Sequence, residues 1–162
     1  MSFYANIFDP RLVVAQIVAM QCLSYLSLSW FVWLFHELFA TPFDLAQMFD
    51  YRAIEFDSLS GIAAMGSFLI NAVAVGVEMS FVVERAKKCL DFAATVVFFH
   101  FIACWNAAGF PFDWKWWILN ILCLVISSVC GEYLCMKKEL QEINMNEFLS
   151  VGLALKYLCE LN

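Results

Sequence analysis

Proline and glycine are scarce in this chain, at three and six of 162 residues, and charged residues make up only 15% of it. So little Pro and Gly excludes long linkers and low-complexity segments. Only Pro111 lies beyond Pro42, in a stretch that reads as a loop. The broken helices and paired repeats of many transporters are therefore not expected. The chain has no Gly-x-Ser-x-Gly, His-Glu-x-x-His or glycine-rich phosphate-binding pattern, so no catalytic signature stands out. It has no Asn-x-Ser/Thr acceptor, and N-glycosylation is not expected. Nothing in it supports nucleic-acid binding.

What is present is apolar. A soluble domain is about 45–50% apolar and about 25% charged. Here 64% of residues are hydrophobic, 17 of them Phe, and the mean hydropathy is +0.77. A soluble fold of this size cannot hide so much apolar surface, so lipid is the expected solvent. Seven cysteines raise the question of a disulfide scaffold. Cys22, Cys104, Cys123 and Cys130 lie inside apolar runs, where a thiol behaves as a small hydrophobe. Cys89, Cys135 and Cys159 fall near or beyond helix ends on the side expected to be reducing. No spacing suits zinc, a redox motif or a cofactor, so free thiols are expected. Cys89 and Cys135, next to a membrane boundary, are also candidates for palmitoylation.

A helix needs about 20 apolar residues to cross a hydrocarbon core of about 30 Å. Four stretches qualify, at about residues 12–35, 62–83, 90–108 and 114–136. The expected fold is an all-α, four-helix transmembrane bundle over residues 1–143, followed by a tail, 144–162. Asp9, Pro10 and Arg11 supply a cap and a first-turn proline for the first span. That span is too long for a cleaved signal peptide and is expected to persist. Trp114, Trp116 and Trp117 read as an interfacial aromatic anchor.

Orientation follows from Lys and Arg. Arg11, Arg85, Lys87, Lys88, Lys137, Lys138 and Lys156 share one side of a four-span topology, and Arg52 and Lys115 the other. This bias puts both termini in the cytosol. The first lumenal loop is acidic, with Glu37, Asp44, Asp50, Glu55 and Asp57.

Polar residues inside spans are costly and are candidates for function. Glu78, Asp91 and Glu132 all fall toward the cytosolic leaflet, and Gln16 lies at similar depth. Asn71 and His100 fall near the midplane. Hydrogen bonding between helices explains Asn71, His100 and Gln16 as bundle-interior groups. Asp91 suits a helix N-terminus, and Glu132 suits pairing with Lys137 or Lys138. Equally, the three carboxylates ringed by Arg85, Lys87, Lys88, Lys137 and Lys138 outline a polar pocket open to the cytosol. Ala63, Gly66 and residues 72–76 suit close helix packing.

Particular strings carry a family resemblance. They are Asp9-Pro10 leading into Gln16-Ile17-Val18 and Met20-Gln21, Gln47-Met48-Phe49-Asp50, and Ser67-Phe68-Leu69-Ile70-Asn71-Ala72. Further on come Lys88-Cys89-Leu90-Asp91-Phe92, Phe98-Phe99-His100 with Cys104-Trp105, and Gly131 to Met136 with Glu139-Leu140 and Glu142-Ile143. Over residues 6–143 the chain resembles the Sys family of Golgi membrane proteins. The resemblance implies a trans-Golgi adaptor that recruits an Arf-related small GTPase with an acetylated N-terminus, for vesicle trafficking and protein transport. It implies no enzyme, cofactor or metal. Glu78 departs from the family, which usually has an apolar residue there. The tail from Asn144 also departs. Phe148, Leu149, Gly152, Leu155 and Leu158 suit one face of an amphipathic helix, and a disordered tail suits the composition equally.

Acetylation removes a terminal positive charge. Such an N-terminus enters a semi-polar groove at lower desolvation cost. The expected GTPase site is Asp91, Glu132 and Glu78 with Arg85, Lys87 and Lys88 at the mouth. The competing reading is a small transporter or intramembrane enzyme using His100 with Asp91 or Glu132.

Overall fold

The computed structural model describes residues 10–42 and 44–160, and the side chains of all but 45, 46 and 146–160 among them. Asp9, the expected cap of the first span, lies outside these residues. Every regular element described is a helix. The four long ones are α1 (Pro10–Leu38), α2 (Leu59–Val82), α3 (Cys89–Ala108) and α4 (Trp114–Glu160). Each falls on one of the four apolar stretches and is long and apolar enough to cross a membrane.

Local chemistry sets the boundaries. Helix α1 begins at Pro10, whose fixed φ suits a first turn and whose missing N–H costs nothing there. The Ser58 hydroxyl accepts from the Gly61 amide at 3.0 Å to start α2, and Asp113 accepts from the Lys115 amide at 3.0 Å beside the start of α4. The helices stop at residues with positive φ: Ala40 (50°) after α1, Glu84 (56°) after α2, and Gly109 (87°) after α3. At the first two, a later amide reaches back over the last turn, Thr41 to the His36 carbonyl (3.0 Å) and Glu84 to that of Met79 (3.3 Å).

The helices pack as a closed ring in the order α1, α2, α4, α3, with α3 returning to α1. Half of the apolar stretch of α2 is buried, against 17% for α1, so α2 is the structural centre and α1 turns most of its surface outward. The outward residues, including Leu12, Val18, Trp30, Ile121 and Val129, are large and apolar, which suits contact with lipid. At Gly76, α2 lies against α4 with no space for a side chain. A Cβ there would lie 2.6 Å from the Cys130 Cβ and 3.1 Å from the Ser127 carbonyl oxygen. Close backbone approach through small residues is how helices gain packing energy when lipid is as apolar as leucine.

The interior has two apolar clusters. One, near residues 83–89, gathers Met20, Val75, Met79, Phe92, Cys89 and Cys135. The other gathers Leu28, Val32, Phe68, Cys104, Trp116 and Leu119 with Met48 and Ile54, which fold in from the loop between α1 and α2. Trp116 corrects the aromatic-anchor expectation. It is 2% exposed, whereas Trp114 and Trp117 are 63% and 40% exposed. One of the three tryptophans is therefore core. Among the described residues the cysteines are all free. Cys89 and Cys135 are 0% exposed and in contact, Sγ to Sγ 3.5 Å, so neither thiol is presented for acylation. Helix α4 runs on well past its apolar stretch. Its 47 residues correspond to about 70 Å at 1.5 Å per residue, more than twice the hydrocarbon thickness.

Candidate functional site

The basic end of the bundle is built where α2 stops, α3 starts and α4 runs past both. A 3-10 turn, Ala86–Lys88, joins α2 to α3. Two side chains of α4 hold this connection. Glu139 accepts from the Ala86 amide at 3.3 Å. Lys138 donates to the Ser80 carbonyl at 2.6 Å, with its ammonium 4.2 Å from the centre of the Phe81 ring. From α1, the Gln16 amide donates to the Val82 carbonyl at 2.8 Å. The last carbonyls of α2, the negative end of its dipole, thus meet donors from two neighbouring helices.

Beside this connection a groove of about 260 Å³ opens between α1 and α3. Val13, Ile17, Phe92 and Thr95 form its walls, and Lys88 and Asp91 stand in it as its two charges. Asp91 is exposed in the first turn of α3, where the dipole favours a carboxylate. Gln21 crosses from α1 to the Thr95 carbonyl at 3.3 Å, tying together the two helices that form the groove. Such a site can take a narrow apolar segment whose polar end meets one carboxylate and one ammonium.

The six residues expected at the site do not all converge. The structure brings Asp91 and Lys88 together in the groove, which includes neither Glu78 nor Glu132. Glu132 is exposed on α4. Glu78 is half-buried on α2, with one carboxylate oxygen sealed from solvent and without a hydrogen-bond partner among the described residues. Arg85 and Lys87 are exposed in the connection itself. Sequence reasoning missed the apolar walls, because Val13, Ile17 and Phe92 are indistinguishable in composition from lipid-facing residues. It placed Lys138 in the basic ring and beside Glu132 rather than on the Ser80 carbonyl, and it missed Glu139 as a tie to α4.

The interior polar residues are engaged with neighbouring helices. Asn71 accepts from the Ser27 hydroxyl at 2.8 Å, linking α2 to α1. His100 is buried among Phe68, Tyr25, Phe49 and Trp116, with ring centres 5.6 to 6.4 Å away, and its Nε2 is 3.5 Å from the Cys104 sulfur. Asp91 is nine residues away along α3, or about 13 Å of helix rise, so His100 and Asp91 are not a catalytic pair. Among the described residues no three His, Cys, Asp or Glu side chains gather as a metal site requires.

Comparison with known proteins places these features in context. Residues 3–145 match the family described as "SYS1: Integral membrane protein S linking to the trans Golgi network". The chain is 43% identical over 143 residues to a Dictyostelium discoideum protein named "Protein SYS1 homolog", covering 88% of this chain and 62% of that one. It is 40% identical over 144 residues to a Nematostella vectensis protein of the same name, covering 89% and 92% respectively. The chain thus spans less than two thirds of the first relative's length. No solved structure matches.

Proposed function

We infer a function from the premise that the chain belongs to the SYS1 family of integral membrane proteins linked to the trans-Golgi network. The proposal is that it is a Golgi membrane adaptor. With both ends in the cytosol, its basic end recruits an Arf-related small GTPase through an acetylated N-terminus and so serves vesicle traffic. The observation that carries this reading is the groove between α1 and α3, apolar in its walls with Lys88 and Asp91 as its only charges.

The chemistry suits an acetylated segment. Val13, Ile17 and Phe92 offer a surface for a methyl group and the first apolar side chain. Lys88 can donate to the acetyl carbonyl, and Asp91 can accept from the first peptide N–H groups. A free ammonium would carry a charge into this surface, at a desolvation cost that acetylation removes. Arg85 and Lys87, exposed in the connection that leads to Lys88, would meet acidic residues of the GTPase. Glu132 and Glu78 stand outside it, so their effect on binding should be smaller.

The test is recruitment in cells. Asp91→Asn and Lys88→Ala are expected to leave the protein at the Golgi and release the GTPase to the cytosol, whereas Glu132→Gln retains recruitment. Undiminished recruitment by the Asp91→Asn, Lys88→Ala double variant would overturn the assignment of this groove.

A further inference from the structure

A second cavity, of about 50 Å³, lies on the axis of the bundle between the two apolar clusters. All four helices reach it. Its polar lining includes Ser24 of α1, Asn71 of α2, His100 of α3, and Asn120 and Ser127 of α4. These five are buried, 4–7% exposed. Four of their atoms have no hydrogen-bond partner among the described residues. They are the Ser24 hydroxyl, the Asn71 Nδ2, the His100 Nδ1 and the Asn120 Oδ1, one from each helix. Their companion atoms are occupied. Asn71 Oδ1 accepts from Ser27, Asn120 Nδ2 donates to the Trp116 carbonyl at 2.9 Å, and His100 Nε2 meets Cys104. None of the four belongs to the side-chain atoms that are both sealed and unpartnered, so each is open to a small probe.

Four helices that each bring a residue with an unpaired polar atom to the lining of one small space would be costly in a membrane unless something satisfied those atoms. The set mixes donors and acceptors and carries no carboxylate or ammonium, so the occupant is neutral and both gives and accepts hydrogen bonds. A water needs about 10–15 Å³ of such space and two to four polar partners. We propose that this cavity is a built hydration site, whose water joins the four helices through Ser24, Asn71, His100 and Asn120. This polar layer is independent of the groove at the basic end.

The chain has two histidines, so labelling histidine with ¹⁵N resolves His36 and His100 alone. Solid-state NMR in lipid bilayers, reading polarisation transfer from water protons to the ring nitrogens, tests the proposal. His100 should receive water polarisation at short mixing times. Ser24→Leu, which fills the cavity, should reduce that transfer at least threefold and leave the His36 signal in place. Ser127→Leu is the second variant should the first fail to fold. A wild-type His100 ring with no transfer from water, or one polarised by acyl-chain protons, overturns the proposal without reference to either variant. So does undiminished transfer in a folded filling variant.

Discussion

Ala40 and Glu84 hold φ of 50° and 56°, a region in which a Cβ costs roughly 1 kcal/mol and glycine does not pay that penalty. Each ends a helix at a position where glycine is the usual residue. Ala40→Gly and Glu84→Gly are therefore each expected to raise stability by up to about 1 kcal/mol, offset in part by the freer unfolded chain. Thermal unfolding in detergent checks this, and a lower midpoint in both variants would contradict it. Ser27→Ala removes the hydroxyl that links α1 to Asn71. Hydrogen bonds of this type inside membranes average about 0.6 kcal/mol, so a small loss is expected by the same assay. At this scale the sequence was legible for charge and depth and poor for direction. Asn71 and His100 stood out as polar residues in apolar runs. Ser24, Asn120 and Ser127 did not, because serine and asparagine read as ordinary small polar residues until the packing turns them to one axis. Trp116 read like its neighbours Trp114 and Trp117, and only helix rotation distinguishes a core indole from an interfacial one.

At the scale of elements, α2 carries the packing and α4 carries the reach. Gly76 leaves no room for a Cβ against Cys130 and Ser127. Gly76→Val is expected to push α2 from α4 and cost about 1–3 kcal/mol, the usual range for overpacking. A midpoint unchanged from the wild type would mean that the two helices do not meet there. The connection Ala86–Lys88 is held by α4 through Glu139, so Glu139→Ala should speed amide exchange at Ala86 while leaving the middle of α2 protected. The four spans were legible because a largely apolar run of about 20 residues matches the thickness of the hydrocarbon core. The continuation of α4 to Glu160 was not, since hydropathy falls at the membrane boundary while backbone hydrogen bonding goes on. The groove between α1 and α3 was half legible. Lys88 and Asp91 were marked as charges near one leaflet, but Glu78 and Glu132 face other surfaces because α2 and α4 present different sides there.

For the whole molecule, the bias of Lys and Arg predicts an orientation with both ends and the connection between α2 and α3 in the cytosol. Labelling of introduced cysteines by an impermeant reagent should reach position 87 from the cytosolic side and position 55 only from the lumenal side. The reverse pattern would invert the topology and remove the basic end from any cytosolic partner. The adaptor reading rests most directly on discrimination of the partner's N-terminus. The purified chain in lipid nanodiscs can be titrated with a peptide copying the first residues of the GTPase, in acetylated and free-amine forms. Binding at least tenfold tighter for the acetylated peptide, about 1.4 kcal/mol, with that preference lost in Asp91→Asn and Lys88→Ala, is the predicted result. Equal binding of the two forms, or binding of neither, contradicts it.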